Sequence, residues 1–465
     1  MKYVSTRGGL AGASFANVLL DGLAPDGGLV IPESYPSIES ALGGLVGADY
    51  PEVAFGVLRM FIDEMSDADL RAVVNDTYRP GIFTGEGVIP VERIGDRWLM
   101  GLSSGPTLAF KDVAMQLLGR LFDFELTRQD RQIMVLGATS GDTGSAAEQA
   151  MIGRSRVSVV MLSPYGKMTP FQAAQMYSID EANIVNLAVE GVFDECQDIV
   201  KALNADAQFK AAHNIGAVNS INWGRVLAQI VYYVWAWLRV GAKADTEIDV
   251  TVPTGNFGNV FAGWVAKKMG VPIRRLVVAC NENNVLDEFF TTGRYVVRAT
   301  EDVVTTSSPS MDIAKASNFE RFIFDLLDRD AETTASVFSG LSPDAPYVVD
   351  PDVLAGTGFV SGTSTEADRM ATIAGVYTDH GRLIDTHTAD GWHVASQHID
   401  HGVPMVCLET ALPAKFSAAI ERATGVVPPR PPGFEGIEDR PQHFTVIPPT
   451  TGAVRSHIEA LNGTA

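Results

Sequence analysis

The sequence QIMVLGATSGDTGSAAEQAMI at residues 132–152 joins an apolar run, a polar turn and an amphipathic stretch. Residues 132–137 are almost continuously apolar, which is typical of a strand buried on both faces of a parallel sheet. Residues 137–144 are rich in glycine and hydroxyl groups and predict a turn, and residues 142–152 predict a helix. A strand followed directly by a helix is the repeating unit of α/β proteins, so this stretch predicts an α/β fold.

The same strand–helix unit recurs along most of the chain. Further apolar runs predict strands at residues 157–162, 183–189, 247–252, 274–279 and 405–408. The helices predicted to follow them span residues 170–177, 194–203, 259–269, 285–290 and 414–423. This alternation predicts parallel sheets covered by helices. A longer helix at residues 222–240 is apolar nearly all round, which predicts deep packing or a subunit contact.

The length of 465 residues exceeds what one hydrophobic core usually serves, so several domains are expected. Residues 1–95 are turn-rich, with short helical stretches, and predict a small N-terminal helical domain. Residues 96–430 contain the strand–helix units and predict the main α/β region, built from two subdomains. The run PPRPPG at residues 428–433 is expected to end packed structure, which leaves residues 431–465 as a loosely attached tail.

Composition and charge argue against several classes of function. The formal charge of −21 repels nucleic acid, and no basic stripe offsets it. No stretch has the length of apolar sequence that a membrane helix needs, and the chain start has no apolar signal segment. The three cysteines lack CxxC spacing and the eight histidines lack an HExxH pattern, which argues against a metal site. We therefore expect a cytoplasmic monomer or homodimer without a nucleic-acid or membrane partner.

A lysine opens one of the predicted helices. The sequence GPTLAFKD at residues 105–112 precedes a helix with one apolar face, and Lys111 lies in its first turn. A helix N-terminus disfavours a cation, and apolar neighbours such as Phe110 and Val113 lower the pKa of an ammonium group. Because the free amine is the form that attacks an aldehyde, Lys111 is a candidate nucleophile. Taken alone, a lysine in this position is more often a surface residue.

Two further helix starts are candidate anion sites. The turn at residues 137–144 offers consecutive backbone N–H groups and hydroxyls, which suit a carboxylate or phosphate, although an ordinary turn capped by aspartate is the alternative. No Lys-Ser or Lys-Thr pair follows it, so it is not a Walker A loop. The loop PTGNFGNV at residues 253–260 has two glycines three residues apart. This spacing suits a single phosphate better than a dinucleotide.

A helix-start lysine and two anion-binding turns on an α/β scaffold indicate pyridoxal 5'-phosphate (PLP), with an amine for the aldehyde and one turn each for the cofactor and substrate anions. The sequence resembles the threonine synthase family, in the branch with a long N-terminal domain. The resemblance runs from residue 3 to residue 416. It is strongest in GPTLAFKD (105–112), ATSGDTG (138–144), NSINWGR (219–225), GNFGN (255–259) and ETALPAKF (409–416).

The resemblance implies a fold-type II PLP enzyme that converts O-phospho-L-homoserine and water to L-threonine and phosphate. It implies that residues 96–430 bind PLP between two α/β subdomains and that Lys111 forms a Schiff base with the cofactor. The hydroxyl of Thr410 is expected to face the pyridine nitrogen. The residues expected to hold the cofactor phosphate are Gly255, Asn256, Phe257, Gly258 and Asn259. The residues expected to contact the substrate are Thr139, Ser140, Asp142, Thr143 and Lys167.

Three positions depart from the pattern of the family or of related PLP enzymes. Leu412 precedes PAKF and Ser104 precedes GPT, where the family usually has histidine. Features of the substrate site that depend on either histidine therefore do not carry over. Asp142 stands where many related PLP enzymes have the asparagine that contacts the ring oxygen of the cofactor. We expect Asn219 or Asn222 to make that contact here.

Two other functions are kept as alternatives. A phospho-lyase acting on the same substrate would release the intermediate before water adds, and its products would be 2-oxobutyrate, ammonia and phosphate. A non-catalytic protein that binds a phosphorylated metabolite would keep the fold without the reaction. The presence of Lys111 argues against the second alternative, because binding alone does not need an amine at this position.

Overall fold

Two large sheets form the framework of the computed structural model, which describes residues 1–216 and 219–462. The strands are β1 (Tyr3–Ser5), β2 (Val30–Pro32), β3 (Val91–Ile94), β4 (Arg97–Gly101), β5 (Ile133–Ala138), β6 (Val157–Pro164), β7 (Ile184–Val189), β8 (Ile215–Gly216), β9 (Ile248–Pro253), β10 (Ile273–Cys280), β11 (Arg294–Tyr295), β12 (Tyr347–Val348), β13 (Phe359–Thr363), β14 (Met405–Glu409) and β15 (Thr445–Ile447). The first sheet has the order β13-β10-β9-β14-β4-β3 and is parallel except for the antiparallel pair β3–β4. The second has the order β15-β7-β6-β5-β8 and is parallel throughout.

Helices pack against both sheets, so the predicted α/β architecture is confirmed. They are α1 (Phe15–Asp21), α2 (Glu39–Leu45), α3 (Tyr50–Arg59), α4 (Asp67–Thr77), α5 (Lys111–Arg128), α6 (Asp142–Met151), α7 (Pro170–Tyr177), α8 (Phe193–Ala205), α9 (Ala207–Ala212), α10 (Trp223–Ala236), α11 (Ala242–Ala244), α12 (Gly258–Lys268), α13 (Val285–Thr292), α14 (Phe319–Leu326), α15 (Ala331–Gly340), α16 (Pro351–Ala355), α17 (Glu366–His380), α18 (Thr386–Ser396), α19 (Ser417–Thr424) and α20 (Thr451–Asn462). The predicted turns at residues 137–144 and 253–260 both connect a strand to a helix, as expected from their sequences.

Helix α10 is the centre of the main hydrophobic core. Every residue from Trp223 to Ala236 is buried, as the apolar character of the predicted helix indicated. The helix then continues as a π-helical turn at Trp237–Gly241. It contacts α3 from the N-terminal region and both α5 and α12, which carry candidate site residues at their first turns. The position of these two helix starts is therefore fixed by packing on one buried helix.

The N-terminal region differs from the small helical unit predicted at residues 1–95. It contains the antiparallel pair β1–β2 as well as helices, and its core is continuous with α10. The ring of Tyr50 packs edge-on against Trp235 with 5.3 Å between centroids, and Tyr3 lies 6.3 Å from Trp223. Large aromatic side chains shared in this way join the region to the α/β part of the chain. The predicted boundary after residue 95 falls in the turn between β3 and β4.

The C-terminal segment is not a loosely attached tail. Strand β15 pairs with β7 at the edge of the second sheet, and α20 packs on α8. Val454 and Ile458, four residues apart on one face of α20, are buried in the same core cluster as Ile447. The prediction was wrong because the proline-rich run at residues 428–433 was interpreted as the end of packing. The apolar spacing beyond it was the signal that this segment folds back.

We predict that Ile458→Ala destabilises the protein, because it leaves a cavity where α20 packs against the second sheet. Loss of a buried isoleucine side chain typically costs about 2 to 4 kcal/mol, and we expect the urea midpoint to fall accordingly. The matched control is Glu459→Ala, at an exposed position of the same helix, which should leave the midpoint unchanged. An unchanged midpoint for Ile458→Ala would mean that the C-terminal segment does not stabilise the folded protein.

Candidate active site

One cavity lies where strands of both sheets end and three helices begin. Helix α5 starts at Lys111, α6 at Asp142 and α12 at Gly258, and each of these residues lines the cavity. The cavity is lined by Phe110, Lys111, Asp142, Thr143, Ser220, Arg225, Gln229, Pro253, Thr254, Gly255, Asn256, Phe257, Gly258, Asn259, Ser310, Met311, His387, Thr410 and Ala411. Helix N-termini carry partial positive charge and unpaired N–H groups, so their convergence favours an anionic ligand.

Lys111 is buried at the first turn of α5. Its Nζ donates to Asp142 Oδ2 at 3.3 Å and to Ser310 Oγ at 3.4 Å. Burial lowers the pKa of the Lys111 amine; Asp142 opposes this shift, whereas Lys415 and Arg225 add to it. A buried amine with a lowered pKa is more readily available as a nucleophile or base than a surface lysine.

Asp142 lies between two buried lysines. Besides Lys111, its carboxylate contacts Lys415 Nζ at 3.0 Å and accepts from Gln172 Nε2 at 2.9 Å. Burial opposes ionisation, but the ammonium groups of Lys415 and Lys111 hold the pKa of the Asp142 carboxyl well below its usual range. Lys415 is fixed in turn, because it donates to Thr107 O and Gln175 Oε1, each at 2.7 Å. Asp142 is therefore an ionised partner of the Lys111 amine at neutral pH.

The loop at residues 255–259 reaches the cavity through an unusual backbone conformation. Phe257 has φ 65°, in the left-handed region, immediately before α12 begins. Gly255 passes close to a neighbouring segment, because a Cβ there would lie 2.8 Å from the carbonyl oxygen of Ser310. Asn259 Oδ1 accepts hydrogen bonds from the Tyr232 and Tyr233 hydroxyls, at 2.6 and 2.8 Å. Packing thus fixes both the start of α12 and the direction of the Asn259 amide.

Buried polar atoms of three residues that line this cavity have no hydrogen-bond partner within the described part of the chain. Two of them are Thr410 Oγ1 and Asn259 Nδ2, and Gln229 Oε1 is a third. Leaving such groups unsatisfied costs free energy, so they are candidates for contacts with a ligand. A PLP ring nitrogen would satisfy the Thr410 hydroxyl, and the start of α12 would hold the phosphate. The residues present therefore fit this cofactor.

Ser310 and His387 line the cavity, although no sequence motif predicted either of them. Ser310 lies in a short 3-10 turn, Pro309–Met311, and its backbone N–H donates to His387 Nε2 at 3.1 Å. His387 Nδ1 lies 3.0 Å from Asp385 Oδ1. Asp385 caps the N-terminus of α18, which was not predicted as a helix. Their sequence neighbourhood has no glycine-rich turn, and only the tertiary fold brings them to Lys111.

Several predicted site residues gather in the cavity, and others do not. Lys111, Asp142, Thr143, residues 255–259 and Thr410 line it. Thr139 stabilises the turn instead, because its hydroxyl accepts from Gly141 N at 3.0 Å and Gly144 N at 2.9 Å. Ser140 and Lys167 are exposed and are not among the lining residues.

Asn219 and Asn222, which were expected to take the place of the asparagine found in related PLP enzymes, do not line the cavity. Asn222 caps α10 through Gly224 N and donates to Leu19 O, each at 2.9 Å, and it does not line the cavity. Asn219 lines a neighbouring cleft that reaches the N-terminal region and shares Thr143 with the cavity. The residues at the two family histidine positions also lie elsewhere: Ser104 donates to Val88 O at 2.7 Å, and Leu412 packs against an apolar cluster.

Two classes of site have no support in residues 1–216 and 219–462. None of the described helices is both long and apolar enough to cross a membrane. No group of three or more histidine, cysteine, aspartate or glutamate side chains in this part of the chain is arranged to hold a metal ion.

Comparisons with known proteins agree with this geometry. Residues 90–339 match the family model described as "Pyridoxal-phosphate dependent enzyme". Residues 2–78 match "Threonine synthase N terminus", and residues 388–458 match "Threonine synthase, C-terminal". The fold and the cavity thus define a fold-type II enzyme whose cofactor is PLP, as predicted.

Full-length relatives place the chain within that class. It is 50% identical to "Threonine synthase" of Methylobacillus glycogenes, covering 98% of this chain and 99% of that protein. The identity to "Threonine synthase" of Corynebacterium glutamicum is also 50%, over 98% of each chain. The crystal structure of PLP-bound threonine synthase from Brucella melitensis superimposes with a TM-score of 0.94 at 41% identity, covering 99% of both chains. The chain belongs to the threonine synthase family.

We predict that Gly255→Ala weakens PLP retention. The new Cβ would lie 2.8 Å from Ser310 O and 3.0 Å from Met311 Cα, which are backbone atoms, so the loop or its neighbour must shift. The comparison variant is Gly258→Ala, whose Cβ would meet the Asn318 side-chain amide at 3.1 Å. A side chain yields more easily than backbone, so this variant should lose less cofactor. The measurement is the PLP content after gel filtration, and equal retention by both variants would contradict the prediction.

Proposed function

We propose that this chain converts O-phospho-L-homoserine and water to L-threonine and phosphate. The observation that carries the proposal is the convergence of the buried Lys111 amine, the start of α12 and the unpartnered Thr410 hydroxyl in one cavity. Full-length relatives carrying the name threonine synthase support the choice of reaction. A small molecule is accordingly the partner. The cytoplasmic location and the monomeric or homodimeric state stay predictions from the sequence.

We assign the cofactor contacts as follows. Lys111 binds the aldehyde carbon of PLP, and the backbone N–H groups at residues 255–259 bind its phosphate. The Thr410 hydroxyl donates to the pyridine nitrogen. A hydroxyl carries no charge at neutral pH, so it would not stabilise a protonated ring nitrogen as a carboxylate partner would. When bound, PLP supplies an electron sink for the bonds at the substrate Cα.

In this proposal Lys111 is also the base that takes the proton from the substrate Cα. Once free of the cofactor, its amine takes the proton from the substrate Cα, and the lowered pKa keeps that amine available as a base. The Asp142 carboxylate, 3.3 Å from Nζ, stabilises the ammonium form that results. The Lys111 ammonium can then return this proton to another carbon of the substrate, while Asp142 stays ionised beside it.

The substrate phosphate is assigned to the side of the cavity with Arg225. This guanidinium is buried and lines the cavity, and burial lowers its pKa only to about 10, so it stays charged at neutral pH. Thr143, in the first turn of α6, lines the same cavity. A buried cation beside a helix N-terminus suits a dianion, and the net charge of −21 over the whole chain makes such a local site necessary.

Substitution of Lys111 tests its assignment as the residue that binds the cofactor. We expect Lys111→Ala to abolish turnover and to leave no PLP attached to the protein after borohydride reduction, because the amine that binds the aldehyde is gone. The control is Lys268→Ala, an exposed lysine on α12, which should keep both properties. Mass spectrometry of the reduced protein locates the cofactor, and reduced PLP on another lysine of the Lys111→Ala variant would refute the assignment.

The product ratio tests the reaction itself. Purified holoenzyme with O-phospho-L-homoserine should release phosphate and form threonine in nearly equal amounts, since water adds while the substrate is still held in the cavity. Chromatography of threonine and 2-oxobutyrate, each divided by the phosphate released, gives the ratio. A majority of 2-oxobutyrate would make the chain a phospho-lyase. Binding of the substrate without phosphate release would make it a non-catalytic binding protein.

A further inference from the structure

A short turn brings a hydroxyl to the Lys111 amine from a distant part of the chain. Ser310 Oγ lies 3.4 Å from Lys111 Nζ and 3.4 Å from Asp142 Oδ2. Together with the 3.3 Å contact between Lys111 and Asp142, these distances form a closed triangle of three polar groups. The serine hydroxyl can accept from the amine and donate to the carboxylate at the same time. Lys111 therefore has two fixed partners in the cavity.

The backbone of Ser310 is held by a histidine in a defined tautomer. His387 Nε2 accepts the Ser310 backbone N–H, so this ring nitrogen must carry a lone pair. The other ring nitrogen, Nδ1, then carries the proton and donates to Asp385 Oδ1 at 3.0 Å. The imidazole is thus neutral and fixed at both ends. It sets the position of Ser310, while its Nδ1 proton is donated to Asp385 and not to a group in the cavity.

The hydroxyl of Ser310 is not needed to hold its loop. Asp312 anchors that loop by accepting from Thr306 N at 2.9 Å, Asn281 Nδ2 at 2.8 Å and Asn283 Nδ2 at 3.0 Å. The hydrogen bonds shown for Ser310 Oγ go to Lys111 and Asp142 alone. A purely structural serine would be expected to bond to its own loop. This hydroxyl is directed at the reacting amine instead.

We propose that Ser310 is a catalytic residue that orients the free Lys111 amine, and that His387 and Asp385 are positioning residues that act through it. The inference rests on the proposed function, because it assumes that Lys111 leaves the cofactor to act as a base. The hydroxyl accepts one N–H of the amine and donates to Asp142, which directs the nitrogen lone pair toward the substrate Cα. The proton leaving Cα then forms its new bond to Nζ.

The first experiment measures proton removal without turnover. Holoenzyme is mixed with L-norvaline, which has no phosphate to lose, in D2O, and exchange of its α-proton is followed by NMR. Misorienting the base should slow this exchange in Ser310→Ala by about tenfold to a hundredfold, with PLP content unchanged. The control is Ser307→Ala on the same loop, whose hydroxyl bonds to Glu366 and Arg369, and it should stay within about twofold of wild type. Exchange in Ser310→Ala at the wild-type rate would overturn the proposal.

A double-mutant cycle separates positioning from general stability. In His387→Gln the side-chain amide can accept from Ser310 N–H and donate to Asp385, so most of the exchange rate should be retained. His387→Leu should lose as much as Ser310→Ala, and the double variant Ser310→Ala/His387→Leu should lose no more than either alone. Losses that multiply in the double variant, or no rescue by glutamine, would overturn the positioning role.

The two proposals fail in different ways. If wild-type enzyme releases no phosphate from O-phospho-L-homoserine but exchanges the α-proton of L-norvaline, the proposed reaction is wrong while the Ser310 comparison still stands. If threonine forms normally and Ser310→Ala exchanges at the wild-type rate, the reaction stands and the role of Ser310 is wrong. If wild type exchanges no α-proton although it forms threonine, the orienting role is also overturned, because Lys111 would not act as the assumed base.

Discussion

The cavity depends on a single buried carboxylate between two buried ammonium groups. Asp142 contacts Lys111 at 3.3 Å and Lys415 at 3.0 Å, and desolvated charges of this kind are tolerated only when they are paired. The three side chains come from the start of α5, the start of α6 and the turn after β14. Arg225 is a further basic side chain in the lining of the cavity. Two lysines and an arginine thus lie together in a strongly acidic protein, which suits a phosphorylated cofactor and substrate.

Packing on α10 makes this electrostatic arrangement rigid. Helices α5 and α12 both contact α10, whose residues are all buried, so the positions of Lys111 and of the loop at residues 255–259 both depend on this one helix. The tyrosine pair that holds Asn259 belongs to the same helix. Because buried side chains have little freedom to shift, the distance between the amine and the phosphate loop is set by the core rather than by the loops themselves.

The sequence predicted what depends on local pattern and missed what depends on distant contacts. Local sequence predicted the strand–helix alternation, the helix start at Lys111 and the loop at residues 255–259. Each depends on the spacing of apolar residues or on glycines within a few neighbouring positions. Ser310, His387 and the partners of Lys415 were not, since they lie far apart in sequence and only the fold brings them together. Even within the recognised loop, the left-handed residue is Phe257 rather than either glycine, which a glycine-based argument could not foresee.

Asp385 connects the two ends of the proposed cofactor position. One of its oxygens holds His387, which sets Ser310 beside Lys111, and the other accepts from the Thr388 hydroxyl. That hydroxyl in turn accepts the backbone N–H of Thr410 at 3.2 Å. The amine that would bind the aldehyde and the hydroxyl that would face the ring nitrogen are thus positioned from one helix cap. A planar cofactor held between Lys111 and Thr410 would contact both groups, and Asp385 is the shared anchor that sets their positions.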